Sequence, residues 1–165
     1  MKFKTAVILA FFASTALFLA CVDLGGNANS TRPTNTSSIT ERPNSPRTNV
    51  EELGILVKVP YKTEDIVWKE DIDKKRILAV MRFSPADANK LVAEGGVTGT
   101  PETSIPVESW FPDELIAQGE MSGDAALKGV SYSAIAFVQE PYTVGKITRI
   151  EGTDYFILDV RQNKS

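Results

Sequence analysis

The chain has 165 residues, of which 42% are apolar, and its 18 lysines and arginines face 21 acidic residues. This length allows one ordinary domain with accessory segments. The excess of acidic residues argues against nucleic-acid binding, which needs clustered cationic side chains to neutralise phosphates. The chain has no histidine and one cysteine, so no disulfide bond forms within it and its stability must come from a packed core.

Residues 1–20 have the organisation of a secretory signal peptide. Lys2 and Lys4 precede an apolar stretch over residues 6–19, and the small residue Ala20 follows it. A stretch this short is typical of a signal peptide rather than of a membrane-spanning helix. We therefore expect residues 1–20 to be removed on export. Removing Lys2 and Lys4 leaves 16 basic residues against 21 acidic ones, a net charge of −5.

The signal ends in LFLAC, at residues 17–21. This sequence resembles the lipobox of bacterial lipoproteins, in which apolar residues and a small residue precede the lipidated cysteine. The resemblance covers the first 21 residues and departs from the usual pattern at Phe18. It implies a diacylglyceryl group on the Cys21 thiol, cleavage before Cys21, and acylation of the new amino group by a fatty acid such as palmitate. Several acyl chains anchor a protein stably to a membrane.

The residue after the cysteine bears on the destination of the protein. In bacterial lipoproteins an Asp at this position is the retention signal, whereas here Val22 follows the cysteine and Asp23 comes one place later. The resemblance therefore implies release to the outer membrane, in a cell that has one. The alternative is an ordinary secretory signal that is cleaved after Ala20.

A polar tether is predicted after the cysteine. Residues 21–50 are rich in Gly, Asn, Ser, Thr, Pro and Arg, and such a segment buries too little surface to offset its ordering entropy. We expect it to be disordered, with an r.m.s. reach of roughly 30 Å from the anchor. The single globular domain is predicted to span residues 51–165.

The first half of the domain predicts three strands and a helix. Alternating apolar residues predict a strand over residues 53–59, and a second strand is expected over residues 66–68. Residues 76–83, RILAVMRF, are apolar on both alternations and indicate a central strand. Ser84 as the cap, Pro85 at the first position and Gly95 past the end then indicate a helix.

The second half predicts a loop, a helix and a hairpin. Glycines and prolines indicate a loop over residues 95–106, followed by a helix over residues 109–120 and a short turn over residues 122–128 that stops at Gly129. Strands over residues 146–150 and 155–160 form a hairpin with Gly152 in its turn. Together these elements predict an α+β fold, a small largely antiparallel sheet with two or three short helices.

The sequence contains no motif for most kinds of catalysis. The absence of histidine and of a free thiol removes the commonest general base, the cysteine nucleophile and most transition-metal ligands. The sequence GEMSG around Ser122 is one residue out of register for a nucleophile elbow, so Ser122 is interpreted as a turn or cap residue. Asp71 and Asp73 begin like a calcium loop, but Lys75 stands where the next ligand should be. We therefore expect no cofactor and no metal.

Two groups of residues remain as candidates for a site. Paired carboxylates acting on a glycosidic bond are one possibility, and the candidates by position are Glu108, Asp113, Glu114 and Asp124. Aromatic side chains beside turns are the other, because they anchor partners or stack on sugars, with arginines as forked donors. Ligand-binding candidates are Trp110, Phe111, Tyr142 and Arg149, and Trp68 and Arg82 belong to the same group. The competing interpretation packs these aromatics into the core.

The favoured function is a non-enzymatic, lipid-anchored envelope protein whose domain binds an envelope protein or a cell-wall component. Two alternatives stay open: a small hydrolase of envelope glycans that uses two carboxylates, and an inhibitor that presents the loop at residues 95–106. The partners expected are the membrane, through the lipid anchor, and the envelope component, with no nucleic acid.

Substitution of Cys21 tests the anchor. In cells fed labelled fatty acid, the wild-type protein should carry the label and sediment with membranes, because the acyl chains partition into the bilayer. A Cys21→Ser variant should lose both the label and membrane fractionation. Unchanged fractionation of that variant would rule out the lipid anchor.

Overall fold

A computed structural model describes residues 44–96 and 102–163 of this chain. The predicted signal peptide, Cys21 and the tether up to residue 43 lie outside the described residues. Within them, six strands form one sheet: β1 (Thr63–Asp71), β2 (Arg76–Phe83), β3 (Thr103–Pro106), β4 (Ala126–Ser133), β5 (Tyr142–Ile150) and β6 (Tyr155–Gln162). Three helices accompany them: α1 (Val50–Leu56), α2 (Pro85–Gly95) and α3 (Asp113–Ser122).

The strand order in the sheet is β1-β2-β6-β5-β4-β3, and every neighbouring pair is antiparallel. The predicted α+β fold with a largely antiparallel sheet is confirmed. The predicted strand over residues 76–83 and the hairpin of β5 and β6 are confirmed as well. Gly152 lies in that hairpin turn with a φ of +74°. Residues with a side chain rarely adopt this backbone angle, whereas glycine adopts it readily.

The two faces of the sheet bury separate apolar clusters. On the first face, Ala79, Met81 and Phe156 belong to a cluster that includes residues of α1 and α2. On the second face, Val80 and Ile157 pack with Leu115 of α3. Successive side chains of a strand point to opposite faces, so the unbroken apolar run of β2 supplies both clusters.

Helix α2 follows its sequence signals. The Ser84 hydroxyl accepts a hydrogen bond from the Asp87 backbone N–H at 3.2 Å, and Ala88 and Leu91 are buried. At the end of the helix, a Cβ added to Gly95 would lie only 2.9 Å from the Cβ of Tyr132. The glycine therefore allows the helix to pack closely against β4.

The predicted strand over residues 53–59 is wrong, because these residues begin within α1. Leu53 and Val57 are fully buried, and their spacing of four residues suits one face of a helix as well as alternate positions of a strand. The Asn49 side chain accepts hydrogen bonds from the backbone N–H groups of Glu51 at 2.9 Å and Glu52 at 3.3 Å. This N-cap selects the helix.

Three predictions in the second half are also corrected. The loop over residues 95–106 includes the edge strand β3, and the helix expected from residue 109 begins at Asp113. The turn expected over residues 122–128 leads into β4, which continues through Gly129. A Cβ at Gly129 would collide with the Arg149 carbonyl oxygen of β5. The glycine thus serves close strand pairing, whereas the sequence suggested a chain break.

The folded part begins before the predicted boundary at residue 51. Arg47 and Trp68 exchange two backbone hydrogen bonds of 2.8 Å, and the Arg47 guanidinium lies 4.6 Å from the centre of the Trp68 ring. The Trp68 indole N–H donates to the Asn49 carbonyl at 3.0 Å. The last residues of the predicted tether are therefore part of the domain.

Truncation measures the contribution of these residues. A chain that begins at Val50 lacks the Asn49 cap, the contact of Arg47 with Trp68 and their two backbone hydrogen bonds. Its free energy of unfolding should be about 2–4 kcal/mol lower than that of a chain beginning at Asn44. Urea unfolding followed by tryptophan fluorescence measures the difference. Equal midpoints and slopes would show that residues 44–49 add nothing to stability.

Candidate functional site

The second face of the sheet is apolar at one end and polar at the other. Its apolar end packs against α3, and residues 104–110 run along the polar end. At that end, Lys69 pairs in register with Leu78, and Asp159 lies between Leu78 and Lys146. We call this polar end the sheet groove; its charged lining residues are Lys69, Asp71, Lys74, Arg76, Glu108, Lys146, Asp159 and Arg161.

The sheet groove consists of three adjoining cavities with volumes of about 80, 130 and 320 Å³. The first two share Arg76 and Leu78, and the last two share Lys146 and Asp159. The groove therefore crosses β1, β2, β6 and β5. Since neighbouring strands lie about 4.8 Å apart, this crossing spans roughly 14 Å.

An ion pair between β2 and β6 lies in the middle of the groove. Arg76 donates from Nε to Asp159 Oδ1 at 2.8 Å and from Nη2 to Asp159 Oδ2 at 3.1 Å. Arg161 makes a longer contact of 3.4 Å to the same Oδ2. Burial raises the pKa of the Asp159 carboxyl, but the hydrogen bonds and charges of Arg76 and Arg161 together lower this pKa by more than burial raises it. The net pKa shift is downward, so Asp159 is a firmly ionised partner of Arg76.

The sheet groove has more cations than anions. Five of its lining residues are Lys or Arg and three are Asp or Glu, in a chain with a net charge of −3. Among the described residues, Lys69 and Lys146 have no carboxylate within 4 Å of their ammonium groups. The groove is thus a locally positive surface on an acidic protein.

A row of hydroxyl groups lies beside the groove on β3, β4 and β5. The Thr103 and Ser131 hydroxyls are 2.8 Å apart, and those of Ser131 and Thr148 are 2.9 Å apart. Ser131 and Thr148 are buried, and buried polar groups are tolerated where they satisfy each other. The row connects β3, β4 and β5, and its Thr148 lines the middle cavity of the groove.

Trp110 flanks the groove. Its indole N–H donates to Glu108 Oε2 at 2.6 Å, and its ring meets Phe111 edge to face at 4.8 Å between centroids. The Trp110 side chain is half-buried, whereas Phe111 is 3% exposed and packs with α3. Of these two predicted ligand-binding residues, only Trp110 borders the groove, and the core interpretation is confirmed for Phe111.

Tyr142 and Arg149 serve the domain's own packing. Tyr142 is 2% exposed, and its hydroxyl donates to Glu70 Oε1 at 2.6 Å. Burial and this hydrogen bond raise the pKa of Tyr142 to about 12. Arg149 donates to Asp154 Oδ1 at 2.6 Å and to the Thr153 carbonyl at 3.1 Å. It thereby holds the turn between β5 and β6, on the wall of a separate cavity of about 510 Å³.

The four carboxylates expected of a glycan hydrolase lie in different places. Glu108 lines the groove, whereas Asp113 and Glu114 are exposed in the first turn of α3 and line another cavity together with Arg82. Asp124 is exposed in the turn between α3 and β4. Ser122 donates to the Gly119 carbonyl at 2.7 Å, which confirms its structural role at the end of α3.

Searches of the described part of the chain for other features found neither a group of three potential metal ligands nor a helix long and apolar enough to cross a bilayer. Comparisons with protein families, curated proteins and solved structures found no match. The functional proposal below therefore rests on the side chains of the sheet groove.

Removal of the Asp159 charge tests the central ion pair. An Asp159→Asn variant leaves Arg76 without its carboxylate, and its free energy of unfolding at pH 7 should be about 1–3 kcal/mol lower. Because the pKa of folded Asp159 is lowered, this stabilisation is present above the unfolded value of 3.8 and is lost as the pH falls through the folded pKa. The wild type and the variant should therefore converge in acid.

An Asp124→Asn variant is the matched control, since Asp124 is exposed, and its stability should stay within about 0.5 kcal/mol of the wild type. Urea unfolding at pH 7 and pH 3 provides the comparison. A constant difference between wild type and Asp159→Asn at both pH values would contradict the ion-pair explanation.

Proposed function

We propose that this chain is an exported, lipid-anchored lipoprotein of the bacterial envelope, whose domain binds a cell-wall component in the sheet groove and acts without catalysis. The observation that carries the proposal is the charged polar surface on the central strands. The neighbouring strands β6 and β5 present Asp159, Arg161 and Lys146 along an open groove, on a face whose other end is covered by apolar packing against α3.

The polarity of the groove favours a polar ligand. Its cations suit a polymer that carries acidic groups, and the bordering Trp110 suits a sugar ring. Large apolar residues are exposed on several segments of the described part of the chain, for example Ile55 on α1, Met121 on α3 and Val144 on β5. Such exposed apolar residues are ordinary, and the charged lining of the groove favours a wall component over an apolar protein partner.

The two alternative functions have less support. A retaining or inverting glycosidase needs two carboxyl groups within about 10 Å on opposite sides of the scissile bond. Asp159, the carboxylate at the centre of the groove, is held ionised by Arg76, which suits neither an acid nor a proton shuttle. An inhibitory loop over residues 95–106 is also disfavoured, since Thr103–Pro106 is paired with β4 as an edge strand.

The anchor and tether fit this role. Lipid on Cys21 would hold the protein at the outer membrane, or at the equivalent surface of the envelope. The polar segment between Cys21 and the domain would place the groove at a distance of roughly 25–30 Å from the lipid, within the wall or beside it.

Sedimentation with purified peptidoglycan sacculi tests the proposal. A chain shortened to begin at Val22, which carries no lipid, should pellet with sacculi, and added salt should weaken the binding. A Lys69→Glu/Lys146→Glu double variant should bind at least about tenfold more weakly, because both ends of the groove reverse their charge.

The matched control is Lys58→Glu/Lys128→Glu, which changes the net charge equally at two exposed residues outside the groove. It should bind sacculi as the wild type does. Failure of the wild type to pellet, or equal losses in the two double variants, would refute wall binding in the groove.

A further inference from the structure

The positive end of the sheet groove has a local geometry that suits one acidic group. Lys146 on β5 pairs in register with Asp159 on β6, and Arg161 is two residues further along β6 on the same face. Diagonal neighbours of this kind lie about 7–8 Å apart. Both cationic side chains line the cavity of about 320 Å³, together with Val144 and Gly145.

The carboxylate in this cavity does not neutralise both cations. Arg76 holds both oxygens of Asp159, at 2.8 and 3.1 Å, whereas Arg161 reaches one of them only at 3.4 Å. Among the described residues, Lys146 has no acidic partner within 4 Å. Arg76 therefore makes the shorter, paired contacts to Asp159, and Arg161 keeps only one long contact to it. The charge of Lys146 and most of the hydrogen-bond donors of Arg161 remain available to a ligand.

Arg76 is less exposed to solvent than Arg161, which distinguishes the cation that holds Asp159 from those that can contact a ligand. The Arg76 side chain is 27% exposed and the Arg161 side chain is 59% exposed. The solvent exposure of Lys146 is intermediate between buried and exposed. Arg76 is thus held within the sheet, while the Arg161 guanidinium and the Lys146 ammonium reach the solvent at the cavity. A planar guanidinium offers paired donors to an oxyanion, and an ammonium adds a mobile point charge.

From this geometry we infer that Lys146 and Arg161 form a binding site for an oxyanion, a phosphate or carboxylate group, at the β5–β6 end of the sheet groove. The inference rests on the proposed function, because it names the chemical group by which an envelope ligand is held there. A cavity of about 320 Å³ has room for the acidic group and for part of the residue that carries it. Asp159 faces the same cavity and opposes the anion, but its charge is compensated by Arg76.

Titration with inorganic phosphate tests the site. In two-dimensional NMR of the unlipidated chain beginning at Val22, phosphate should shift the amide signals of β5 and β6 saturably, with a Kd on the order of 1 mM for two charge-assisted contacts. Sodium chloride at equal ionic strength provides the baseline, and a parallel titration with acetate compares a carboxylate with a phosphate.

Three variants assign the effect to these two side chains. Lys146→Gln and Arg161→Gln should each raise the Kd at least about tenfold, and Lys146→Arg should retain binding because the charge is kept. Lys128→Gln removes an equal charge from the neighbouring strand β4 and should leave the Kd unchanged. Unsaturable shifts with both anions, or equal weakening by Lys128→Gln and Lys146→Gln, would overturn the site.

Vesicles distinguish a lipid phosphate from other sources of the oxyanion. Binding of the unlipidated chain to phosphatidylglycerol vesicles but not to phosphatidylcholine vesicles, lost in Lys146→Gln, would support the site and identify a lipid headgroup. Phosphate binding without binding to either vesicle would support the site and identify a soluble or wall-borne group.

The outcome is separable from that of the sacculus experiment. If the chain binds phosphate through Lys146 but does not pellet with sacculi, the oxyanion site is supported and the proposed function is refuted. If the chain pellets through the groove but binds neither phosphate nor acetate, the proposed function is supported and the oxyanion site is refuted.

Discussion

The antiparallel pairing of β2 with β6 is the constraint on which the rest of the domain depends. These two strands are neighbours inside the six-stranded order, and their residues 77–81 and 156–158 supply apolar side chains to both faces. Each cluster alone buries one side of the sheet, and the shared strands join them into one core. The ion pair of Arg76 with Asp159 stabilises the same pairing at its polar end.

That ion pair also explains how a groove of charged residues exists on central strands. A lone arginine or aspartate there would be partly desolvated without compensation, which is costly. The bidentate geometry satisfies both groups, so the second face does not need a helix over its whole length. What remains exposed is the charge of Lys69, Lys146 and Arg161, and these residues give the surface its chemistry.

Local sequence signals predicted those elements whose signals agree with their tertiary environment. Ser84 and Pro85 begin α2 as expected, Gly95 is its last residue and not the residue past its end, and the apolar run of residues 76–83 is the interior strand β2. The failures have one cause. Leu53 and Val57 fit a helix and a strand equally, and Gly129 fits a chain break and a close strand contact equally. Contacts with neighbouring segments decide between helix and strand in the first case, and between a break and a strand contact in the second.

The site illustrates the same division between sequence and tertiary structure. The sequence by itself predicted the lipid anchor, through the apolar signal before Cys21, and it determined the identity of the interior strand β2. Only the tertiary structure decided that Phe111 and Tyr142 are buried and that Arg149 is occupied by Asp154. It alone brought Lys146 next to Asp159 and Arg161, because strand register joins residues that are distant in sequence, and no local pattern encodes which strands become neighbours.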